Sequence, residues 1–379
     1  MEAEQLQGLV YLLSGAAIVG FLTLSFRFFG RRFSHYPGDL VFARNSWLEK
    51  EELELVEIKA ETHDIKSFRF VRSNGKGFPK FRPGQFLTFQ IGMQQKLTRS
   101  YSISSSNLEE DSVRVSIKQI ARGQGSSWFH QCKLGERIWA YPAIGHFTDS
   151  HLQKQPRVFI AGGIGITPFL SMILSNLGSS HDCEMYLFYG MRTEADMAFH
   201  EQLLELSHKY SSFKYFPILS NAKGEWGGDR GFINLEWVKE KVKLTNDMHY
   251  FLCGPSVLMD SFVAVLLKSG VGEDHIYTEA FVSAANIDPA AIPIRSVKIL
   301  FQGQQYEYHG RQTILDFLEA QGAEIPHACR VGVCGTCRCR MTGKVLTLTD
   351  AGLSLMEKQQ GYKLSCVAFP SEDMSVELG

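Results

Sequence analysis

The chain has 379 residues, 44% hydrophobic and 21% charged, with 39 Lys and Arg against 40 Asp and Glu. At roughly 100–200 residues per domain this length calls for two to four domains. The near-neutral balance excludes a protein held to nucleic acid by a broad basic field, and the composition excludes a disordered or collagen-like chain.

The first feature along the chain is an uncharged stretch from Gln5 to Phe26, almost wholly apolar over residues 9–26. About 20 such residues cross a bilayer core. Glu2 and Glu4 precede it and Arg27, Arg31 and Arg32 follow, the reverse of a secretory signal peptide. The expectation is a single-pass anchor in the lipid bilayer, with residues 1–48 as span and juxtamembrane linker. Its N-terminus lies outside and the catalytic domains lie on the cytoplasmic side. A buried core helix is the alternative.

Short β-rich segments follow at 53–60, 65–71, 86–91, 99–104, 113–120 and 137–141, separated by turn residues such as Ser73-Asn74-Gly75 and Pro83-Gly84. Such punctuation predicts an antiparallel β-barrel over 49–150. Beyond Pro156 strands alternate with helices: strands at 158–161, 185–189, 215–219 and 250–252, and helices at 169–177, 199–210 and 257–267. That alternation predicts an α/β doubly wound parallel sheet over 151–282. Residues 283–295, with two prolines and many alanines, read as a linker. The last segment, 296–379, opens with a hairpin over 297–308 turning at Gln302-Gly303, then a helix over 313–321 capped by Thr313.

Cysteine spacing carries the strongest chemical signal. Eight cysteines are present, and Cys329-x4-Cys334-x2-Cys337 with Cys366 beyond is the spacing that holds a [2Fe-2S] cluster. A loop wrapping inorganic sulfide needs small residues, which Gly332, Gly335 and Thr336 supply. Four thiolates also satisfy tetrahedral zinc, although zinc sites usually pair two short knuckles and Cys366 stands alone. Cys339 reads as a packed strand residue.

On these residues the segment 296–379 resembles a plant-type ferredoxin, an α+β (β-grasp) domain. Such a module cannot use a two-electron donor by itself, which directs attention upstream to a flavin. There Arg99-Ser100-Tyr101-Ser102 resembles the Arg-x-Tyr-Ser motif of the ferredoxin–NADP reductase superfamily. The resemblance implies that Arg99 pairs with a flavin phosphate, Tyr101 stacks on the isoalloxazine and Ser102 hydrogen-bonds near its reactive nitrogen. It also implies that Gly123-Gln124-Gly125-Ser126-Ser127 binds the flavin phosphate at a helix start, through Gly125, Ser126 and Ser127, with Ser126 as N-cap. Pro142-Ala143-Ile144-Gly145-His146-Phe147 closes the barrel as in that family.

The run Gly162-Gly163-Ile164-Gly165-Ile166-Thr167-Pro168 departs from the dinucleotide fingerprint at Pro168 but is the nicotinamide-binding form of this family. Gly163 and Gly165 would admit the pyrophosphate and Thr167 would cap the helix. Cys253-Gly254-Pro255 would place the Cys253 thiol beside the nicotinamide ring; a small buried residue is the alternative for Cys253. Glu279 and Phe281 would lie against the flavin's far face, and Tyr189-Gly190-Met191-Arg192 with Asp196 would brace the cleft. Ser220 is followed by Asn221 instead of an arginine, which favours NADH over NADPH, with Arg230 or Lys223 as substitute partners for a 2′-phosphate.

The order flavin barrel, nicotinamide domain, ferredoxin resembles that of dioxygenase reductases and of the NADH reductases of hybrid cluster proteins, and the Gly-x-Gly-Ser turn is closer to the FAD than the FMN type. The implied activity is hydride transfer from NADH or NADPH to FAD, with Tyr101, Ser102 and Cys253 at the reacting atoms. Single electrons then pass through the cluster to a partner protein. The anchor points to a membrane-bound oxygenase or fatty-acid desaturase as that partner. A soluble acceptor such as a hybrid cluster protein, or a respiratory complex taking this chain as its electron-input subunit, are the alternatives.

Overall fold

Alternating burial along the first strands shows why they curl into a barrel: Leu53 and Leu55, then Phe68 and Phe70, are fully buried, while Glu52, Glu54, Arg69 and Val71 beside them reach solvent. A computed structural model describes residues 50–379 apart from 93–96, 122, 180–182, 282–291, 328, 331, 333, 351 and 354. The expected anchor at 1–48 and span at 9–26 lie outside the described residues, as does most of the expected linker 283–295. Among the described residues no helix is long and apolar enough to cross a membrane.

Strands β1 (Glu51–Ala60), β2 (Ile65–Arg72), β3 (Phe86–Ile91), β4 (Leu97–Ser102), β5 (Val113–Lys118) and β6 (Arg137–Ile144) form one antiparallel sheet, with α1 (Gln124–Gln131) inserted before β6. The order is β4-β3-β6-β1-β2-β5, and a bridge between Ile103 and Val115 joins the two outer strands into a closed barrel. Phe129 of α1 plugs it, edge-on to Phe89 and Tyr101.

The next sheet is wholly parallel: β7 (Arg157–Gly162), β8 (Met185–Met191), β9 (Phe213–Leu219), β10 (Asp229–Arg230), β11 (His249–Cys253) and β12 (Ile276–Glu279), in the order β10-β9-β8-β7-β11-β12. Helices α2 (Ile166–Gly178), α3 (His200–Lys209), α4 (Leu235–Lys241) and α5 (Ser256–Lys268) connect them. Both faces are covered, Phe159, Leu187 and Phe251 on one side and Val158, Phe188 and Leu252 on the other, as parallel strands require. Strand order reverses between β7 and β11, so their carboxyl ends form a topological switch point. Arg157, 1% exposed, is paired at 2.8 Å with Asp149 in the segment leaving the barrel, and Asp149 also accepts from Asn176 of α2. This buried pair ties the two modules together. The short β10 and α4 escape the periodicity reading: β10 has two residues, and α4 begins at the Asn234 cap with one turn of apolar contacts.

Strands β13 (Arg295–Phe301), β14 (Gln304–Gly310), β15 (Arg338–Thr342), β16 (Val345–Thr347), β17 (Tyr362–Leu364), β18 (Ala368–Pro370) and β19 (Met374–Leu378) build the last module with α6 (Ile314–Ala320) and α7 (Leu355–Gln359). Its main sheet runs β14-β13-β19-β15-β17 with β13 and β19 parallel, and α6 packs Ile314, Leu315 and Leu318 into the core. The hairpin turns at Gln302-Gly303, both with positive φ, and Thr313 accepts from the Asp316 amide. The structure thus has the antiparallel barrel, doubly wound sheet and β-grasp layout expected from the sequence.

Candidate functional site

A cavity opens where the barrel meets the switch point. Its wall is drawn from β3 and β4 (Phe86, Arg99, Tyr101, Ser102), α1 (Gly125, Ser126), α2 (Thr167) and the end of β12 with the residues after it (Glu279, Phe281). Eight predicted site residues therefore converge on one space: Arg99, Tyr101, Ser102, Gly125, Ser126, Thr167, Glu279 and Phe281.

Alternation along β4 puts Arg99 and Tyr101 on one face. Arg99 is half-buried, hydrogen-bonds the Thr98 carbonyl at 2.8 Å, and has no carboxylate partner among the described residues; burial pulls its pKa down. A desolvated guanidinium without an acid beside it is suited to an incoming anion. Gly125 sits hard against it: a Cβ there would lie 2.6 Å from Arg99 Cγ and 3.1 Å from the Tyr101 hydroxyl. No side chain caps α1, so its first amides are left for another acceptor. Guanidinium and helix amides on one cavity are a donor set that fits a flavin phosphate, and the missing side chain at Gly125 is what lets Arg99 lie against the start of α1.

Two capping expectations are corrected. Ser126 is the third residue of α1, because the helix starts after extended Gly123; its hydroxyl accepts from the Ile120 amide at 3.0 Å and donates to the Gly123 carbonyl. It closes the preceding turn instead of capping the helix. Thr167 is the second residue of α2, and its hydroxyl donates back to the Ile164 carbonyl at 3.1 Å. Ser127 is half-buried and does not line the cavity.

At the switch point the two glycines differ. Gly163 has φ +55 and open space where a Cβ would stand, whereas a Cβ on Gly165 would lie 2.2 Å from the Cys253 carbonyl oxygen. Gly163 leaves room for a ligand and Gly165 lets two loops touch. Gly254 packs against Gly162, and Pro255 precedes α5. Cys253 is fully buried, its thiol pushed far up by burial, within a core that includes Phe159 and Phe251. It does not line the cavity.

Beside Cys253 in register stands Glu279. Burial raises its carboxyl pKa to about 8, and the Ser102 hydroxyl donates to it at 3.4 Å. Phe281 is 45% exposed at the cavity mouth. Arg230 spends its guanidinium on the carbonyls of Ala222, Gly224 and Trp226, and the Lys223 amide is held by Glu194. Asp196 accepts from the Thr193 amide and hydroxyl, a bracing role.

Cys329, Cys334, Cys337 and Cys366 are all buried and arrive as two pairs. Cys329 hydrogen-bonds Cys334 and holds its thiol well below the usual range, and Cys366 hydrogen-bonds Cys337, lowering it. Tetrahedral zinc would bring all four sulfurs to about 3.8 Å from one another. The one group of three or more His, Cys, Asp or Glu ligand atoms mutually within 4.8 Å among the described residues is His63, Asp64 and Asp196. Two separated pairs fit two irons better than one zinc. Gly332 and Gly335 have φ of +77 and +73, and a Cβ on either would strike Thr349 or the Gly352 carbonyl at 2.5 Å. Cys339 is fully buried and donates to the Cys337 carbonyl.

Sequence reasoning missed Phe86 and Lys118. Phe86 reads as an ordinary core residue after Pro83-Gly84, and only its pairing with Ser102 and Ile144 brings it to the cavity. Lys118 ends β5 on the cavity wall, ion-paired with Asp64 at 3.1 Å.

Residues 52–148 match the oxidoreductase FAD-binding domain family, 159–264 the oxidoreductase NAD-binding domain family, and 298–371 the 2Fe-2S iron-sulfur cluster binding domain family. A component of 1,2-phenylacetyl-CoA epoxidase from Escherichia coli strain K12 is 31% identical, covering 84% of this chain and 94% of that protein. The glycine betaine monooxygenase reductase subunit of Pseudomonas aeruginosa is 26% identical, covering 85% and 93%. Among solved structures, phthalate dioxygenase reductase superposes with a TM-score of 0.60 at 22% identity, over 87% of this chain and 98% of that one. An intact type IV self-sufficient cytochrome P450 monooxygenase superposes with 0.65 at 21% over 87% of this chain, which spans 41% of that longer protein.

Proposed function

This chain belongs to the NAD(P)H-dependent iron–sulfur flavoprotein oxidoreductases, with FAD-binding, NAD-binding and 2Fe-2S domains in that order, and from this premise we propose that it is the electron-supplying reductase of an oxygenase. The observation that carries the reading is the single cavity whose wall takes Arg99, Tyr101 and Ser102 from the barrel and Thr167 and Glu279 from the nucleotide module. That wall backs, through Phe86, onto Cys329 and Cys334.

Bound there, FAD supplies the exchange between a two-electron hydride and one-electron steps, while the four cysteines hold the one-electron carrier. Arg99 and the first amides of α1 hold the flavin's phosphate. Tyr101 would lie against its ring, and Ser102 with Glu279, kept protonated by burial, would offer hydrogen bonds to it. Open space at Gly163 admits the nicotinamide nucleotide at the switch point. NADH is the favoured donor, since Asn221 follows Ser220 and Arg230 is occupied by its own loop.

The acceptor is an oxygenase component, in keeping with relatives named as reductases of glycine betaine and ketosteroid monooxygenases. The uncharged run at 9–26, closed by Arg27, Arg31 and Arg32, supports a membrane-anchored reductase serving a membrane-bound oxygenase or desaturase from the cytoplasmic side. Anaerobic titration of the full-length protein with NADH tests the redox reading: flavin and cluster absorbance should both bleach, and acid extraction should release FAD. Recovery of FMN, or a cluster that NADH leaves oxidised, overturns it. Alkaline carbonate washing tests the anchor, which requires the chain to stay with the membrane pellet.

A further inference from the structure

Phe86 both lines the cavity and packs on cluster cysteines. Its side chain, 3% exposed, forms part of the cavity wall and also makes one buried apolar group with Cys329 and Cys334, flanked by Ile144. The second thiol pair behaves differently: Cys337 and Cys366 pack into the ferredoxin core with Ile314, Leu318 and Val367.

The ring is held from several sides. Phe86 pairs with Ser102 of β4 and Ile144 of β6, and a Cβ on Gly145 would lie 3.2 Å from both Cδ1 and Cε1 of the ring. The cluster loop rests on the same barrel edge, where a Cβ on Gly335 would stand 3.2 Å from His146 Cδ2. Close packing of this kind leaves little freedom for the spacing across it.

We infer that Phe86 is a positioning residue: it is the partition that sets the gap between the flavin and the Cys329–Cys334 pair, so that electrons enter the cluster on that side. The inference rests on the electron-transfer reading above and adds the entry point. One electron crosses per event, supplied originally by NAD(P)H and accepted by the ferric pair on the four cysteines, and no bond is made or broken in the crossing. The same partition shields the Cys329–Cys334 side from whatever enters the cavity.

The test uses full-length holoprotein carrying Phe86→Ala or Phe86→Leu. Stopped-flow absorbance under anaerobic conditions separates flavin reduction by NADH from the following cluster reduction. In Phe86→Ala the second step should slow roughly tenfold more than the first, about 1.4 kcal/mol on its barrier. Independently of turnover, a water-soluble iron chelator should strip the oxidised cluster faster from Phe86→Ala than from the parent protein. Phe86→Leu, which keeps most of the volume, should return both readouts toward the parent. An unchanged electron paramagnetic resonance spectrum of the dithionite-reduced cluster establishes that the variant holds its cluster normally. Parent-like rates in both the second step and iron release for Phe86→Ala would overturn the assignment. Failure of NADH to reduce the parent's flavin would instead overturn the functional reading, and iron release would still decide whether Phe86 is the partition.

Discussion

The Ser102 hydroxyl donates to Glu279 Oε2 at 3.4 Å, joining the last residue of β4 to the last residue of β12 across 177 positions of sequence. Both residues are buried, and among the described residues no positive charge acts on the carboxyl, so burial dominates and lifts its pKa from 4.5 to about 8. At neutral pH Glu279 is a neutral acid able to donate a hydrogen bond into the cavity.

That state has a signed consequence for stability. Between pH 4.5 and about 8 the folded chain keeps the Glu279 proton while the unfolded chain loses it. The folded state binds more protons, so stability from this group is whole below the lower value, falls as pH rises through the window, and levels off above it. Glu279→Gln removes the titration and keeps a hydrogen-bonding side chain. Its thermal midpoint relative to the parent should rise between about pH 5 and about pH 8. A constant difference across that range would mean the carboxyl is ionised in the fold.

Arg99 and Gly125 should fail in the same direction for different reasons. Arg99→Lys keeps a charge but loses the fork that can hold a phosphate through two hydrogen bonds, and FAD affinity should fall by roughly 10–100-fold, the equivalent of about 1.5–3 kcal/mol for one charged hydrogen bond. Gly125→Ala pushes a methyl to within 2.6 Å of Arg99 Cγ, displacing the arginine or the helix start. Bound FAD per chain after dialysis should drop in both variants, with far-ultraviolet circular dichroism unchanged. Full flavin occupancy in Gly125→Ala would show that α1 can retreat without cost.

How far the site was legible differs from residue to residue. The cysteine ligands are a local pattern, with small residues at fixed offsets, and the loop glycines have the positive φ that such wrapping needs. Arg99 and Tyr101 alternate on one face of β4, so a short motif places them on one wall, whereas Ser102 joins the cavity from the end of the strand. Caps were less legible: Ser126 and Thr167 both look like helix starters, but α1 starts right after the extended Gly123, and a tight 3-10 turn over Gly163–Gly165 already leads into α2, so each hydroxyl falls inside the first turn. Phe86 was not legible at all. Its position between cavity and cluster comes from two strand registers and a third module docking on the barrel edge, none of which leaves a local trace in sequence.

The division of labour between cysteines gives a clean contrast. Cys334→Ser removes one member of the Cys329–Cys334 pair and should abolish the visible cluster spectrum and electron delivery to a one-electron acceptor, while NADH still reduces the flavin. Cys339, two residues past Cys337, is a strand residue whose thiol donates to the Cys337 carbonyl. Cys339→Ser should keep the cluster and one-electron transfer. Iron and sulfide content of the two purified variants checks both outcomes, and loss of iron in Cys339→Ser would move it into the ligand set.

Gly163 and Gly165 are two positions apart and should answer the same methyl group in different readouts, nucleotide binding for the first and stability for the second. On Gly165 the methyl meets the Cys253 carbonyl oxygen at 2.2 Å, a contact with backbone that cannot swing aside. Gly165→Ala should therefore destabilise the nucleotide module by about 1–3 kcal/mol, the usual cost of overpacking, seen as a lower thermal midpoint. On Gly163 the methyl enters open space, and holding φ +55 costs only about 1–2 kcal/mol. What it occupies is the approach to the switch point, so Gly163→Ala should raise KM for NADH more than it lowers kcat, the signature of lost ground-state binding. If Gly163→Ala instead lowers kcat with KM unchanged, the nucleotide does not pass this glycine on its way to the cavity.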